Sequence, residues 1–250
     1  MSVSGVQILP DEDAVAQATA DLFVQCAHQA LQQRGFCAVA LAGGSTPRRL
    51  YELLAGPPYC QRVDWSRVEV FWGDERAVPP DHEESNYRMA RIALLDKVPL
   101  RAQQIHRMQG ESDLPWAAES YQAEIAKVFG VALDGPPPAF DLILLGMGPD
   151  GHTASLFPHT DVLRENVRWV AVNYVPQFDR YRLTLTLPIL NRSAAVAFVI
   201  AGKAKAAALR AVLSGPQDPE RYPSQLIRPA QGELLWLVDC QAAAKLQDLP

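Results

Sequence analysis

The sequence predicts a doubly wound, Rossmann-like α/β fold, in which a mostly parallel sheet carries helices on both faces. Short apolar runs alternate with longer helical patterns along the chain, and this alternation indicates strand–helix–strand units. The run 140–145, FDLILL, is almost entirely apolar, as is typical of a strand covered on both faces. At 250 residues, one domain over 1–250 is the simplest organisation.

Periodicity and capping residues place the elements of the first half of the chain. A helix is predicted over 11–33, with a stop signal at Gly35. One face of this helix is predicted to carry Ala14, Ala18, Leu22, Cys26 and Ala30. A second helix opens after the glycines at 43–44 and runs to about 54. Ser85 can cap a third helix to about 95, and a fourth is predicted over 115–129. Strands are predicted at 6–9, 37–42, 68–72 and 105–108.

The second half of the chain is predicted to be richer in strands. Extended segments are expected at 140–145, 169–175, 182–187, 195–200 and 234–238, with one helix over 203–213. Proline-rich pieces at 56–59, 135–139 and 215–223 are typical of loops. Since none of these loops is long enough for an interdomain linker, they leave the single-domain interpretation unchanged.

Composition excludes several classes of protein. Hydrophobic residues make up 48% and charged residues 20% of the chain, as in soluble globular proteins. The net charge of −5 argues against a nucleic-acid binder. The four cysteines form no CxxC pair, which favours reduced thiols over a disulfide framework or a zinc site. No signal peptide or membrane-length apolar run is evident. We therefore expect a cytoplasmic protein that binds neither nucleic acid nor membrane.

The segment 140–158, FDLILLGMGPDGHTASLFP, is the first candidate site. A buried strand is followed by three glycines around Asp150 and His152, at the strand end where open α/β sheets bind ligands. Histidine is suited to proton transfer near neutral pH. A metal site is a weaker alternative, because the other histidines show no ligand spacing with His152. A serine hydrolase is also weaker, because no GxSxG motif occurs.

The segment 42–47, AGGSTP, is the second candidate site. A strand leads into Gly43 and Gly44, then Ser45 and Thr46, then a proline suited to the first turn of a helix. Free amides at a helix start attract anions, and the glycines permit close approach. A simple glycine turn with an N-cap is an equally good interpretation of this motif alone. It matches neither nucleotide fingerprint, so ATP and NAD are not expected as cofactors.

Charged residues at other strand ends form a third group of candidates. Asp74 and Arg76 follow an apolar strand in FWGDER, Arg182 begins RLTLTLPILN, and Lys203 follows a strand in AGK. An arginine there can bind phosphate through two hydrogen bonds, and Asp74 can orient a sugar hydroxyl. Taken alone, each of these residues is more simply interpreted as a solvated surface charge than as a ligand-binding group. Together the three cations can balance one dianionic phosphate.

These motifs, in this order, resemble the 6-phosphogluconolactonase family. The matching pieces are LAGGSTP, WGDERAVPPDHEESNYRMA, DLILLGMGPDGHTASLFPHT, and RLTLTLPILN with AGK behind it, which together span about 39–236. The resemblance implies a metal-free and cofactor-free cytoplasmic enzyme of the pentose phosphate pathway. Its fold would be the one shared with glucosamine-6-phosphate deaminases. The segment 175–182, VPQFDRYR, departs from the family's usual proline-rich lead-in.

The resemblance also implies residue roles. His152 corresponds to the catalytic histidine, Asp74 to the acidic position of the pocket, and Gly43–Thr46, Arg76 and Lys203 to phosphate contacts. As a mechanistic hypothesis beside the resemblance, Asp150 or Asp74 would orient the imidazole or the ring hydroxyls, and Arg182 is a further candidate for the phosphate. The substrate would be 6-phospho-D-glucono-1,5-lactone, bound by a monomer or a weak homo-oligomer.

Two rival functions follow from the same motifs. An amino-sugar-phosphate isomerase or deaminase would need a glutamate shortly after the histidine, and this chain has Phe157 before Pro158 instead. A non-catalytic sugar-phosphate sensor would bind the ligand without turnover. Such regulators carry a DNA-binding segment, for which we see neither a spare N-terminal stretch nor the right charge.

Overall fold

The computed structural model describes residues 5–246 of the chain. Six strands form a parallel sheet: β1 (Val6–Leu9), β2 (Cys37–Leu41), β3 (Val68–Trp72), β5 (Leu142–Leu145), β8 (Ala195–Ile200) and β9 (Glu233–Asp239). Three more strands form an antiparallel sheet: β4 (Asp74–Arg76), β6 (Val170–Val175) and β7 (Arg180–Leu185). The strand order is β1-β9-β8-β5-β2-β3 in the first sheet and β4-β7-β6 in the second.

The helices of the described residues cover both faces of the parallel sheet. They are α1 (Glu12–Arg34), α2 (Ser45–Ala55), α3 (Tyr59–Arg62), α4 (Asn86–Ala93), α5 (Leu114–Phe129), α6 (Leu187–Leu190) and α7 (Ala206–Ser214). Short 3₁₀ turns lie at Trp65–Arg67, Leu95–Lys97, Ala102–Gln104, Asp161–Arg164, Pro176–Phe178, Lys203–Lys205, Pro223–Leu226 and Ala242–Lys245. Within residues 5–246, no helix combines the length and the apolarity that crossing a bilayer requires.

Two apolar layers explain why the parallel strands are apolar throughout. In β2, Ala38 and Ala40 pack into one layer, whereas Val39 and Leu41 pack into the other. Strand β5 divides in the same way between the two layers, since successive side chains of a strand point to opposite faces. The prediction of a doubly wound, mostly parallel sheet is therefore confirmed.

Local capping signals account for the helix boundaries. The Asp11 carboxylate accepts a hydrogen bond from the Ala14 amide at 2.8 Å and starts α1. Gly35 ends this helix in the left-handed conformation, at φ 83°, which glycine adopts without strain. Ser85 caps α4 as predicted, by accepting from the Arg88 amide at 3.1 Å.

Two details of the predicted elements are wrong. Of the five α1 residues predicted to share a face, Ala30 is buried and the other four are half-buried. The buried face instead runs through Val15, Ala16, Thr19, Ala20, Phe23, Val24, Ala27 and Ala30. A strict four-residue spacing drifts by about 40° per step around a helix of 3.6 residues per turn, so it leaves one face. The predicted strand at 105–108 is a single bridge between Ile105 and Val70.

The antiparallel sheet was not evident in the sequence. Gly73 alone separates β3 from β4, and its carbonyl accepts from the Leu185 amide at 2.8 Å. This bond brings β7 beside β4, so that Asp74 lies opposite Thr184 and Arg76 lies opposite Arg182. The partners are about a hundred residues apart in sequence, and such pairing carries no local signal.

The strand order defines where a ligand binds. The chain passes from β2 outward to β3, but from β5 it passes in the opposite direction to β8. The connections therefore diverge between β2 and β5, and open α/β sheets bind ligands at the carboxyl ends of strands at such a point.

Candidate active site

A cavity of about 310 Å³ opens at the carboxyl ends of the four adjacent strands β8, β5, β2 and β3. Its walls come from the segments that directly follow these strands, and from the antiparallel sheet. The candidate residues that line it are Gly43, Gly44, Ser45, Thr46, Asp74, Arg76, His152 and Arg182. The structure thus brings motifs that are far apart in sequence to one site.

His152 lies on one wall of the cavity and forms a hydrogen-bonded pair with Asp150, which does not itself line the cavity. Nδ1 of His152 lies 2.6 Å from Oδ1 of Asp150, and the same oxygen accepts from the His152 amide at 3.2 Å. A Cβ on Gly148 would overlap both the imidazole and this carboxylate. Glycine at 148 is therefore required for the pair to form.

The charge state of Asp150 follows from its partners. Burial alone raises the pKa of a carboxyl group, but the hydrogen bond and the charge of His152 outweigh it and hold the pKa of Asp150 well below its ordinary value. Gln177 adds a weaker contact, donating to Oδ2 at 3.3 Å. Asp150 thus remains an acceptor for Nδ1–H at all but very acidic pH. This fixes the tautomer of the neutral imidazole and leaves Nε2 as the basic nitrogen.

The imidazole of His152 is also held by an aromatic face. The Phe157 ring stacks on it, with centroids 3.9 Å apart and planes inclined by 26°. Phe178, half of whose surface is exposed, packs edge-on against Phe157 at 5.7 Å. The imidazole ring therefore has one hydrogen-bonded edge and one covered face.

Asp74 faces the cavity from the other side and belongs to a different hydrogen-bond network. Its Oδ2 accepts from the Ser155 hydroxyl at 2.6 Å, and its Oδ1 accepts from the Asn86 amide group at 3.3 Å. Asn86 reaches this position because Gly43 lacks a side chain: a Cβ there would overlap the Asn86 amide group. The sequence left open which aspartate is the partner of the histidine, and in the described residues the imidazole is hydrogen-bonded to Asp150.

The start of α2 lines one end of the cavity. Gly44 is the N-cap residue, at φ 107°, and no side chain caps this end of the helix. The first amides of a helix lack intrahelical partners and carry partial positive charge. The amides at 44–46 are thus free of a side-chain cap and could donate to an anion.

Arg76 and Arg182 lie directly opposite each other in the β4–β7 pair, and both line the cavity. Burial lowers the pKa of Arg182, and the charge of Arg76 adds to this effect, whereas the charge of Asp74 opposes it. The Nε atoms of both arginines are buried without a hydrogen-bond partner in the described part of the chain. Like charges directly opposite each other destabilise a strand pair, so this arrangement favours a bound anion.

The lysine that lines the cavity is Lys205 rather than Lys203. Lys203 is exposed and does not reach the cavity, whereas Lys205 is half-buried in its wall. Burial lowers the pKa of Lys205, while the charge of Asp150 opposes this effect. The 3₁₀ turn at Lys203–Lys205 decides which side chain points inward, and the AGKAK sequence does not show this choice.

Comparisons with known proteins agree with this geometry. A sequence profile of the glucosamine-6-phosphate isomerases/6-phosphogluconolactonase family matches residues 10–236. The chain belongs to this family. A Nostoc protein named 6-phosphogluconolactonase is 42% identical over 96% of this chain and 98% of its own length. A Synechocystis protein of the same name is 46% identical over 88% of each chain.

Solved structures of the family have the same fold. The 6-phosphogluconolactonase from Trypanosoma cruzi superposes with a TM-score of 0.84, is 28% identical, and covers 98% of both chains. A monomeric glucosamine-6-phosphate deaminase, at 20% identity and a TM-score of 0.79, shares the fold over 96% of this chain. The fold alone therefore does not separate the two activities of the family.

Glu75 shows that not every charge in the family motif GDER faces the cavity. Its buried carboxylate accepts from the Asn86 and Tyr87 amides, both at 2.8 Å, and from the Ser85 hydroxyl at 3.0 Å. Burial raises its pKa, while the amides that donate to it, including that of Arg76, act in the opposite direction. Glu75 thus holds the start of α4, which carries Asn86 to the cavity.

The sequence did not point to Asn86, Phe178 or Lys205 of the cavity wall, and it marked Phe157 only as the residue that stands where a deaminase would need a glutamate. Asn86 was visible only as the residue after a helix cap, and Phe178 lies in the segment that departs from the family pattern. Among residues 5–246, no group of three or more His, Cys, Asp or Glu side chains is arranged to hold a metal ion.

Proposed function

We propose that this chain is a 6-phosphogluconolactonase, which hydrolyses 6-phospho-D-glucono-1,5-lactone to 6-phospho-D-gluconate. One observation carries the proposal: His152, hydrogen-bonded to Asp150, shares a cavity with a lysine, an uncapped helix start and two arginines whose Nε atoms have no hydrogen-bond partner among the described residues. The cavity thus combines His152, a group that can transfer protons, with cations and amides that can bind a dianionic phosphate. The relatives at 42–46% identity are named for this activity. We expect a monomer or a weak homo-oligomer in the cytoplasm.

The mechanism begins with phosphate capture. The amides at 44–46, Arg76, Arg182 and Lys205 would bind the 6-phosphate, and their binding energy would hold the lactone ring against the opposite wall. Asp74, fixed by Ser155 and Asn86, would accept hydrogen bonds from ring hydroxyls. The substrate is thereby oriented without any contact to the reacting carbon.

Hydrolysis then needs one proton taken and one returned. Nε2 of neutral His152 would remove a proton from the water that attacks C1, giving a tetrahedral oxyanion and an imidazolium next to Asp150. The oxyanion would be stabilised by amides of the glycine turn or by a nearby cation. As the C1–O5 bond breaks, the imidazolium would protonate the leaving ring oxygen. Water has then been added across the ester bond, and His152 is neutral again.

Phe157 favours hydrolysis over the deaminase reaction. Isomerisation with loss of ammonia needs further acid–base groups to open the sugar ring and move the C2 proton. In this chain the position before Pro158 is an apolar ring stacked on His152. The described contacts of the imidazole therefore give it a single carboxylate partner, Asp150.

The test is a lactonase assay with freshly generated 6-phosphogluconolactone, coupled to 6-phosphogluconate dehydrogenase. We expect hydrolysis well above the spontaneous rate. Release of ammonia from glucosamine 6-phosphate would instead support the isomerase or deaminase. Tight binding of 6-phosphogluconate without turnover of the lactone would identify a sensor.

Replacing Gly148 with alanine should separate His152 from Asp150. The added Cβ would overlap both side chains, and misplacement of a catalytic group by about 1 Å can reduce the rate by about 10²-fold. We expect a loss of this order in kcat, together with loss of the hydrogen-bonded Nδ1 proton resonance of His152. Gly146→Ala is the matched control, because its Cβ meets no atom within 4 Å and should leave the resonance in place. A normal resonance in Gly148→Ala would contradict the assigned pair.

A further inference from the structure

Two buried tyrosines hold the ends of neighbouring strands in the same way. The Tyr51 hydroxyl accepts from the Ala42 amide at 2.9 Å and donates to the Ala42 carbonyl at 2.8 Å. The Tyr121 hydroxyl accepts from the Trp72 amide at 2.7 Å and donates to the Trp72 carbonyl at 3.2 Å. Each hydroxyl thus occupies both hydrogen-bonding groups of one residue, at the carboxyl end of β2 in the first case and of β3 in the second.

Tyr51 differs from Tyr121 in what it connects. Ala42 is the last residue before the glycines of the anion-binding loop, and Tyr51 lies on α2, the helix that this loop opens. The Tyr51 hydroxyl therefore links the two ends of the segment 42–51, and so fixes α2 to the carboxyl end of β2. Tyr121 lies on α5, which supplies no residue to the cavity wall, and holds Trp72, the residue before the cavity-lining Gly73. Its bond therefore leaves the start of α2, with the amides at 44–46, untouched.

The chemistry of the buried phenol suits this position. Both tyrosine rings are buried, and burial raises the pKa of each, with the backbone hydrogen bond acting in the opposite direction. The hydroxyls therefore stay protonated and can donate and accept at the same time. Phenylalanine would keep the packing of the ring but would leave the Ala42 amide and carbonyl buried without this partner.

We propose that Tyr51 is a positioning residue for phosphate binding, which acts by holding the amides of 44–46 at a fixed place relative to the sheet. The inference rests on the proposed function, since it assigns the loop to the 6-phosphate. The N–H groups at 44–46 can bind a phosphate only if they point at its oxygens, so their orientation matters as well as their partial positive charge. A shift of α2 relative to β2 would therefore weaken phosphate binding without touching the His152–Asp150 pair.

The experiment compares Tyr51→Phe with Tyr121→Phe in the lactonase assay. The two variants lose the same hydroxyl from equally buried rings, so their thermal unfolding temperatures should fall to a similar extent. We expect Tyr51→Phe to raise KM for the phosphorylated lactone by roughly tenfold, with kcat within about twofold of wild type. Tyr121→Phe should leave both constants within about twofold of wild type. Competitive inhibition by inorganic phosphate should weaken in Tyr51→Phe as KM rises, and should be unchanged in Tyr121→Phe.

The outcomes separate the inference from the function on which it rests. An inactive wild-type chain would refute the proposed function. An active wild type with an unchanged KM in Tyr51→Phe, or equal increases in both variants, would overturn the role of Tyr51 alone. Amide exchange of the wild-type protein gives a test that needs no variant: the Ala42 amide should exchange as slowly as the amides within β2. Exchange as fast as in an exposed loop would also overturn the inference.

Discussion

Replacing His152 with asparagine should lower kcat for lactone hydrolysis by about 10²–10⁴-fold, the usual worth of general acid–base catalysis. Asparagine fits the space of the imidazole and can still contact Asp150, but it cannot exchange a proton near neutral pH. Substrate binding should persist, because the arginines, the lysine and the start of α2 are untouched. KM for the lactone should therefore stay within a few-fold of wild type. The assay must be corrected for spontaneous hydrolysis, which sets the floor of the measurement.

His159→Asn is the matched control for this prediction. His159 lies seven positions further along the same segment, is exposed, and has φ 60°, a conformation that asparagine tolerates. The control should keep wild-type kcat. If His152→Asn also kept near-normal turnover, the imidazole would have no catalytic role, and the proposed mechanism would fail at its first step.

Replacing Arg182 with methionine should raise KM for the phosphorylated lactone by about 10–100-fold, since hydrogen bonds to charged groups contribute about 1.5–3 kcal/mol. Methionine keeps much of the aliphatic length of the side chain but removes the guanidinium, whose Cζ lies 6.0 Å from the Phe157 ring centroid and 5.6 Å from that of Phe178. The effect on stability should be small, because the variant also relieves the repulsion between Arg182 and the Arg76 directly opposite. We expect the free energy of unfolding in phosphate-free buffer to change by less than about 1 kcal/mol.

The separation of these two effects is the critical result. If Arg182 served mainly to stabilise the fold, its substitution would lower the free energy of unfolding. If it binds the phosphate, its substitution should lower the affinity for the substrate and leave the fold intact. Arg180→Met, two positions earlier on β7, is the control, because Arg180 is exposed. It should leave KM unchanged. An unchanged KM in Arg182→Met would remove this residue from the phosphate site, and Arg76→Met would then test whether the opposite arginine binds alone.

The sequence by itself determined the elements whose causes are local. Asp11 and Ser85 cap helices through their own side chains, and Gly35 ends α1 because it adopts a positive φ. The apolar runs marked the buried strands, because a strand covered on both faces has no polar side. The glycine-rich segments after β2 and β5 could also be recognised as candidate ligand-binding loops, because a turn that approaches a ligand closely requires glycine at particular positions.

Only the tertiary structure decided which side chains meet. The choice of Asp150 over Asp74 as the partner of His152 depends on a turn that also requires Gly148. The selection of Lys205 over Lys203 depends on the direction of one 3₁₀ turn. The juxtaposition of Arg76 and Arg182 depends on strand pairing across about a hundred residues. The physical reason is common to all three: local propensity is encoded by neighbours in the chain, whereas side-chain direction and strand register are set by packing between distant segments.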